Sequence, residues 1–211
     1  MGRQVDWYFD FISPFAYLQF KHFHRLPDDL EVTLHPLLFA GLLNHWEHKG
    51  PAEIPAKRTQ TYQFTHWHAE QLGVPFRTPP AHPFNPLPAL RLAIACGSSH
   101  EVVGAIFDFI WGEGGDISNA DGFETLAKRV SCDNAAQAIA RPEVKNRLRE
   151  NTESAIAAGV YGVPTFRVDG RLFWGFDLTD MFLQYLAEPS MFESEEMHRL
   201  STLPAAAERP R

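Results

Sequence analysis

VDWYFDFISPFAYL, residues 5–18, is the stretch from which the rest of the chain can be read. Residues 5–12 are aromatic and β-branched almost throughout, the composition of a buried strand. Ser13 and Pro14 then change the pattern. Serine is a strong N-cap and proline suits the first helical position, so a helix is expected to start here, with Phe15 and Leu18 on its buried face. After a turn at Pro27-Asp28-Asp29, LEVTLHPLL (residues 30–38) reads as a second strand. Strand, helix and strand in so short a span, close to the roughly thirty residues usual for the motif, make a βαβ unit.

Working outward, apolar residues recur at three and four positions over 56–73, 87–97 and 101–111, and a shorter helix is expected over 122–130. PEVKNRLRENTESAIAA (residues 142–158) opens on Pro142 and stops before Gly159. It keeps Val144, Leu148, Ala155 and Ile156 on one face. Proline-rich connections occupy 51–55 and 75–88. Farther on, TFRVD-G-RLFW (residues 165–174) reads as a hairpin turning at Asp169-Gly170, followed by a helix over 178–186 with Met181, Phe182 and Tyr185 available to pack. The order is βαβ, a block of helices, then ββα. It implies an α/β fold: a thioredoxin-like core (residues 1–40 and 156–190) interrupted by a large helical insertion (residues 41–155). Residues 191–211 thin to charges, Ala and Pro and are expected to form a disordered tail.

Composition limits the function. A chain of 211 residues holds one sizeable core with room for an insertion, and 45% hydrophobic with 21% charged residues is ordinary for a globular protein. A net charge of -7 argues against a nucleic-acid surface. No run approaches the roughly 20 apolar residues of a membrane span, so no membrane partner is expected. Two distant cysteines, Cys96 and Cys132, form no CxxC. With no signal-peptide pattern at the start, a cytoplasmic, reducing setting is the simpler expectation, although a single disulfide stays open. The close histidine pairs, His22/His24, His45/His48 and His66/His68, lack the carboxylate or cysteine that would complete a ligand set, and no metal site is expected.

Three short constellations carry chemistry. Ser13 lies where a strand gives way to a helix. Free N–H groups and the helix dipole, worth about half a positive charge, favour an anion there. In a thioredoxin-like core that position holds the attacking cysteine. Here it is serine, with Ala16 three residues on, so no disulfide exchange can occur at this place. The hydroxyl is suited to donate to a thiolate brought by another molecule; taken alone, Ser13 reads rather as a plain N-cap, and its neighbours turn the reading toward the ligand role. In GVYGVPTF (residues 159–166) a proline opens a strand after a Gly-rich approach, so a cis Val163–Pro164 bond is expected, with the Val163 N–H and C=O free to pair with a peptide-like ligand. In FWGFD (residues 173–177) Asp177 is placed to accept from a ligand's α-amino group or to cap the last helix, and Trp174 to face a ligand or the core.

Taken in order, FDFISPFAYL (9–18), GPAEIPAKR (50–58), LGVPF (72–76), IWGEGGDIS (110–118), VKNRLRENTESAIAAGVYGVPTF (144–166) and FWGFD (173–177) resemble the 2-hydroxychromene-2-carboxylate isomerases and kappa-class glutathione transferases, a branch related to the bacterial disulfide oxidoreductases. The resemblance implies glutathione as cofactor, its sulfur on Ser13, its backbone paired with Val163 beside cis Pro164, and its α-amino group at Asp177. Lys57 matches a lysine positioned for a glutathione carboxylate. Trp174, Phe176 and His48 complete the implied cofactor-binding set. His48 stands where kappa-like members tend to carry Asn, and Phe176 and Leu178 replace a polar residue and an arginine of the closing motif. The implied activity is a glutathione-dependent isomerisation of an aromatic-catabolism intermediate of the 2-hydroxychromene-2-carboxylate type, a small electrophilic substrate, in a possible homodimer. A kappa-like transferase and a redox-inactive binding module are the alternatives.

Overall fold

The computed structural model of the chain describes residues 2–207. Among these, β1 (Arg3–Phe9), β2 (Leu30–Pro36), β3 (Thr165–Val168) and β4 (Arg171–Trp174) form a four-stranded sheet in the order β2-β1-β3-β4. β1 runs parallel to β2, and α1 (Pro14–Lys21) makes the crossover between them. β3 is antiparallel to β1, with Trp7 opposite Phe166 and Tyr8 opposite Thr165. The β3–β4 hairpin turns at Asp169 and Gly170, both at positive φ, as the Asp-Gly pair leads one to expect. The α/β core anticipated from the order of elements is present, and helices fill the interval between β2 and β3.

Those helices are α2 (Phe39–His45), α3 (Pro55–Leu72), α4 (Leu87–Ala95), α5 (His100–Phe107), α6 (Ala120–Arg129), α7 (Ala135–Ala138) and α8 (Pro142–Ala157); α9 (Thr179–Ala187) and α10 (Glu195–Ser201) follow the hairpin. α5 runs on into a π-helical stretch, Asp108–Gly112. The insertion and the core are not separate bodies. Alternation along β1 sends Trp7 and Phe9 to one face of the sheet, where Phe107 of α5 lies against Trp7, Phe9, Phe11, Tyr17 and Phe20. Tyr8 turns to the other face and joins Leu42 of α2, Ala155 of α8, Val160 and Val163 in a smaller cluster. The boundary expected at 155–156 falls inside α8. That helix binds the end of β2 directly: Asn151 Nδ2 donates to Pro36 O (2.9 Å), and Leu38 N–H donates to Thr152 Oγ1 (3.1 Å).

A buried amide fastens the core's own layers. Gln19 of α1 accepts from Trp7 Nε1 (2.7 Å) and donates to Gly175 O and Thr179 Oγ1 (3.0 Å each), so strand, helix and C-terminal helix share one satisfied polar group. α9 closes the sheet face with Phe182, stacked on Phe166 at 4.2 Å between ring centroids.

The expected disordered tail needs correction. A 3-10 turn at Pro189–Phe192 brings Phe192 against Phe173 and Tyr185, with the Arg171 guanidinium 4.3 Å from its ring centroid. α10 then starts at Ser194, which accepts from Met197 N–H, and carries an internal Glu196–Arg199 ion pair. Low hydrophobicity hid a few anchoring aromatics and an N-cap. Of the expected tail, residues 208–211 lie outside the described residues.

Because Phe182 is fully buried and stacked, Phe182→Ala is expected to cost about 3–5 kcal/mol of unfolding free energy, read from urea titration as a lower midpoint with an unchanged slope.

Candidate active site

The site grows from the four-residue loop Asp10–Ser13 between β1 and α1. Ser13 is the N-cap of α1: its Oγ accepts from Ala16 N–H (3.2 Å), and Pro14 takes the first helical position. Among the described residues the hydroxyl hydrogen has no acceptor and Phe15 N–H has none either. The helix therefore begins with two unused donors beside its positive end.

Neighbouring elements hold the rest of the loop. Trp111, in the π-helical stretch, donates from Nε1 to Phe11 O (2.8 Å), and His82 Nε2 donates to Ile12 O (2.8 Å). The other ring nitrogen of His82 lies 2.7 Å from the Tyr62 hydroxyl on α3. Since Ile12 O only accepts, Nε2 carries the hydrogen, and burial lowers the histidine pKa and keeps the ring neutral. Asp10, fully buried, accepts from Ile12 N–H (3.0 Å) and from Phe39 N–H (2.9 Å) at the start of α2.

The second wall is the stretch 159–164. Val163–Pro164 is cis, as expected. Continuing the β1–β3 register one step past Tyr8–Thr165 and another brings Pro164 level with Phe9 and Val163 level with Asp10, at the sheet end that leads to Ser13. Among the described residues neither Val163 N–H nor its C=O has a hydrogen-bond partner, whereas Pro164 O accepts from Gly175 N–H (2.8 Å). Gly162 lies under the Trp174 indole; a Cβ there would fall 2.2 Å from Nε1. Trp174 is exposed, edge-on to Tyr161. Trp46 bridges from α2, donating to Val160 O (3.0 Å), and so draws the segment carrying exposed His48 toward this wall.

The remaining expected residues fall as follows. Asp177 is exposed, two residues beyond the Gly175 that binds Pro164 O. Phe176 is half-buried, its ring edge-on to His22 and to His68 of α3, which makes it a packing residue between helices. Lys57 is exposed on α3 and, among the described residues, makes no ion pair. Arg58, one residue on and half-buried, is the cation whose charge reaches Tyr62 and His82. Asp10, Tyr62, His82, Trp111 and Trp46 were given no role from sequence. Only Asp10 carried a signal, an acid inside an otherwise apolar strand end.

With this geometry in hand, the sequence profile of the DSBA-like thioredoxin domain family matches residues 4–187. The chain belongs to that family. Relatives within reach of direct comparison include a kappa 2 glutathione S-transferase of Caenorhabditis elegans, 27% identical across 89% of this chain and 93% of its own. A 2-hydroxychromene-2-carboxylate isomerase of Sphingobium xenophagum is 28% identical across 89% of this chain and 100% of its own. Among solved structures, a 2-hydroxychromene-2-carboxylate isomerase superposes with a TM-score of 0.75 at 21% identity, covering 96% of this chain and 100% of that one, which supports the fold. The resemblance drawn from the motifs is thus met over nearly the whole chain.

Burial pushes the Asp10 carboxyl from an ordinary 3.8 up to about 7, against the opposing pull of its two N–H donors. Between those values the unfolded chain has released a proton that the folded chain still holds. This residue's contribution to stability is therefore complete below about pH 4 and is lost as pH rises to about 7. Thermal and urea unfolding across that window should show the advantage of wild type over Asp10→Asn shrinking by roughly 1.4 kcal/mol per pH unit. A difference that ignores pH would remove the buried-acid assignment.

Proposed function

We propose that the protein is a glutathione-dependent isomerase acting on an aromatic-derived electrophile of the 2-hydroxychromene-2-carboxylate type, with Ser13 stabilising the glutathione thiolate. One observation carries this reading: the unused Ser13 hydroxyl and Phe15 N–H at the α1 terminus stand at the same sheet end as the unpaired Val163 N–H and C=O. The first pair suits an anion, and the second suits the backbone of a peptide-like ligand laid alongside, in the manner of an added strand. A γ-glutamyl-cysteinyl backbone meets both demands, which is the fit expected for this cofactor. The names of the relatives, isomerases and kappa transferases, point the same way.

Bound glutathione would supply a thiol that adds reversibly to an electrophilic carbon, turning a double bond into one that can rotate. The chain's own part is electrostatic. The Ser13 hydroxyl donates to the sulfur and the α1 dipole favours its negative charge, so the thiol pKa falls. Val163 fixes the cofactor backbone, and Asp177 meets its α-amino group. Trp174, Trp46 and Tyr161 are exposed around this wall and offer flat apolar surface to an aromatic substrate. A kappa-like transferase would use the same residues and differ in consuming glutathione.

Calorimetric titration with reduced glutathione is expected to saturate, with Asp177→Ala weakening affinity by roughly 10-fold. Ser13→Ala should keep most of that affinity and lower turnover by about 10–100-fold, the loss of a hydrogen bond to a charged group. An undiminished glutathione pool after turnover identifies the isomerase; stoichiometric consumption identifies the transferase. Absence of binding at millimolar glutathione would sink both.

A further inference from the structure

Cys96 and Cys132 have no part in the site above and lie in the helical insertion. Cys96 caps the C-terminus of α4, its N–H donating to Leu92 O (3.0 Å). Cys132 stands just past the last turn of α6, its N–H donating to Ala127 O (3.0 Å). Both are half-buried free thiols within hydrogen-bonding reach of each other. Both also line one open groove of about 630 Å³, walled by Val102, Val130, Gln137 and Arg141. Such a volume is that of a small-molecule site, and both cysteines border the same opening.

We propose that Cys96 and Cys132 are a redox-active thiol pair that reacts with small anionic disulfides, of which oxidised glutathione is the probe, and closes to an intramolecular disulfide. This reaction is independent of the Ser13 site. Burial divides the labour between the two sulfurs. Both cysteines stand at helix C-termini, the negative ends of the dipoles, so the dipole does not tell them apart. Burial, then the hydrogen bond and charge of Cys132, push the Cys96 thiol up to about 12. Cys96 is thereby the poorer nucleophile, and the first attack falls to Cys132. As a thiolate it attacks one sulfur of the reagent. The reagent's S–S bond breaks, a Cys132–glutathione mixed disulfide forms, and one glutathione leaves, taking up the proton that Cys132 released. The mixed disulfide removes the Cys132 thiol, and with it the hydrogen bond and charge that add to burial in holding Cys96 protonated. The Cys96 sulfur then attacks the Cys132 sulfur and expels the second glutathione, which takes the Cys96 proton. Two protein thiols lose two electrons, and one oxidised glutathione becomes two reduced molecules. Arg141, on the groove wall, offers a cation to the reagent's carboxylates and is the one group that lowers the Cys96 pKa.

The test is incubation of the reduced full chain with excess oxidised glutathione, followed by intact mass and peptide mapping. Wild type should lose two hydrogens, with the Cys96 and Cys132 peptides joined. Cys96→Ser should stop with one glutathionyl group on Cys132, and Cys132→Ser should take up none in the same time. The closed loop restrains the unfolded chain, so oxidised wild type should melt roughly 5–10 °C higher. Wild type that halts at the mixed disulfide, or stays reduced in excess reagent, would overturn the proposal. Uptake by Cys132→Ser as fast as by Cys96→Ser would overturn the assignment of the first nucleophile.

Discussion

Between β1 and α1 the chain makes a buried loop of four residues, and a buried loop has to account for every backbone N–H and C=O. This one cannot do so by itself. The Phe11 and Ile12 carbonyls are met by Trp111 and His82, and Asp10 gathers the Ile12 and Phe39 amides. Each of those outside groups arrives on a different element, so the position of Ser13 depends on the insertion as much as on the core. The helices between β2 and β3 form part of the mould in which the loop is cast. They also share one aromatic interior with the sheet, chiefly through Phe107.

The two sides of the site use backbone chemistry in complementary ways. At α1 the helix geometry leaves donors that no chain group satisfies, and at Val163 the departure from the ladder leaves a donor and an acceptor. Unused groups of this kind cost little where solvent or ligand can reach them and a great deal where neither can. The chain gathers them at one end of the sheet while neighbouring elements meet the Phe11 and Ile12 carbonyls of the same loop.

What could be read from the sequence was whatever is written locally. Ser13-Pro14 marks a helix start, Asp169-Gly170 a turn, Val163-Pro164 a special peptide bond, and the strand–helix order an interrupted core. α2 escaped notice because FAGLLNH is short and follows Leu38, which offers no capping side chain. α10 was hidden by composition. The tie from His82 to Ile12 spans seventy residues of sequence, and that from Trp111 to Phe11 a hundred. No local pattern encodes such pairings, because they depend on how the helices are stacked. Lys57 and Arg58 make the point on a smaller scale: both belong to the same motif, and only the rotation of α3 about its axis decides which of them meets Tyr62 and His82.

The β1–β3 register has a consequence for how the chain is made. Tyr8 leaves the ribosome well over a hundred residues ahead of Thr165, its antiparallel neighbour. At about 5–20 residues per second, the N-terminal βαβ unit waits roughly ten to thirty seconds with the β3 side of β1 unpaired. An apolar strand held open for that long is a template for other chains. The polypeptide that emerges meanwhile is largely helical and can form from contacts close in sequence. Phe107, carried by α5, reaches the growing chain well before Phe166 does, and can shelter Trp7 and Phe9 while the C-terminal hairpin is still being synthesised.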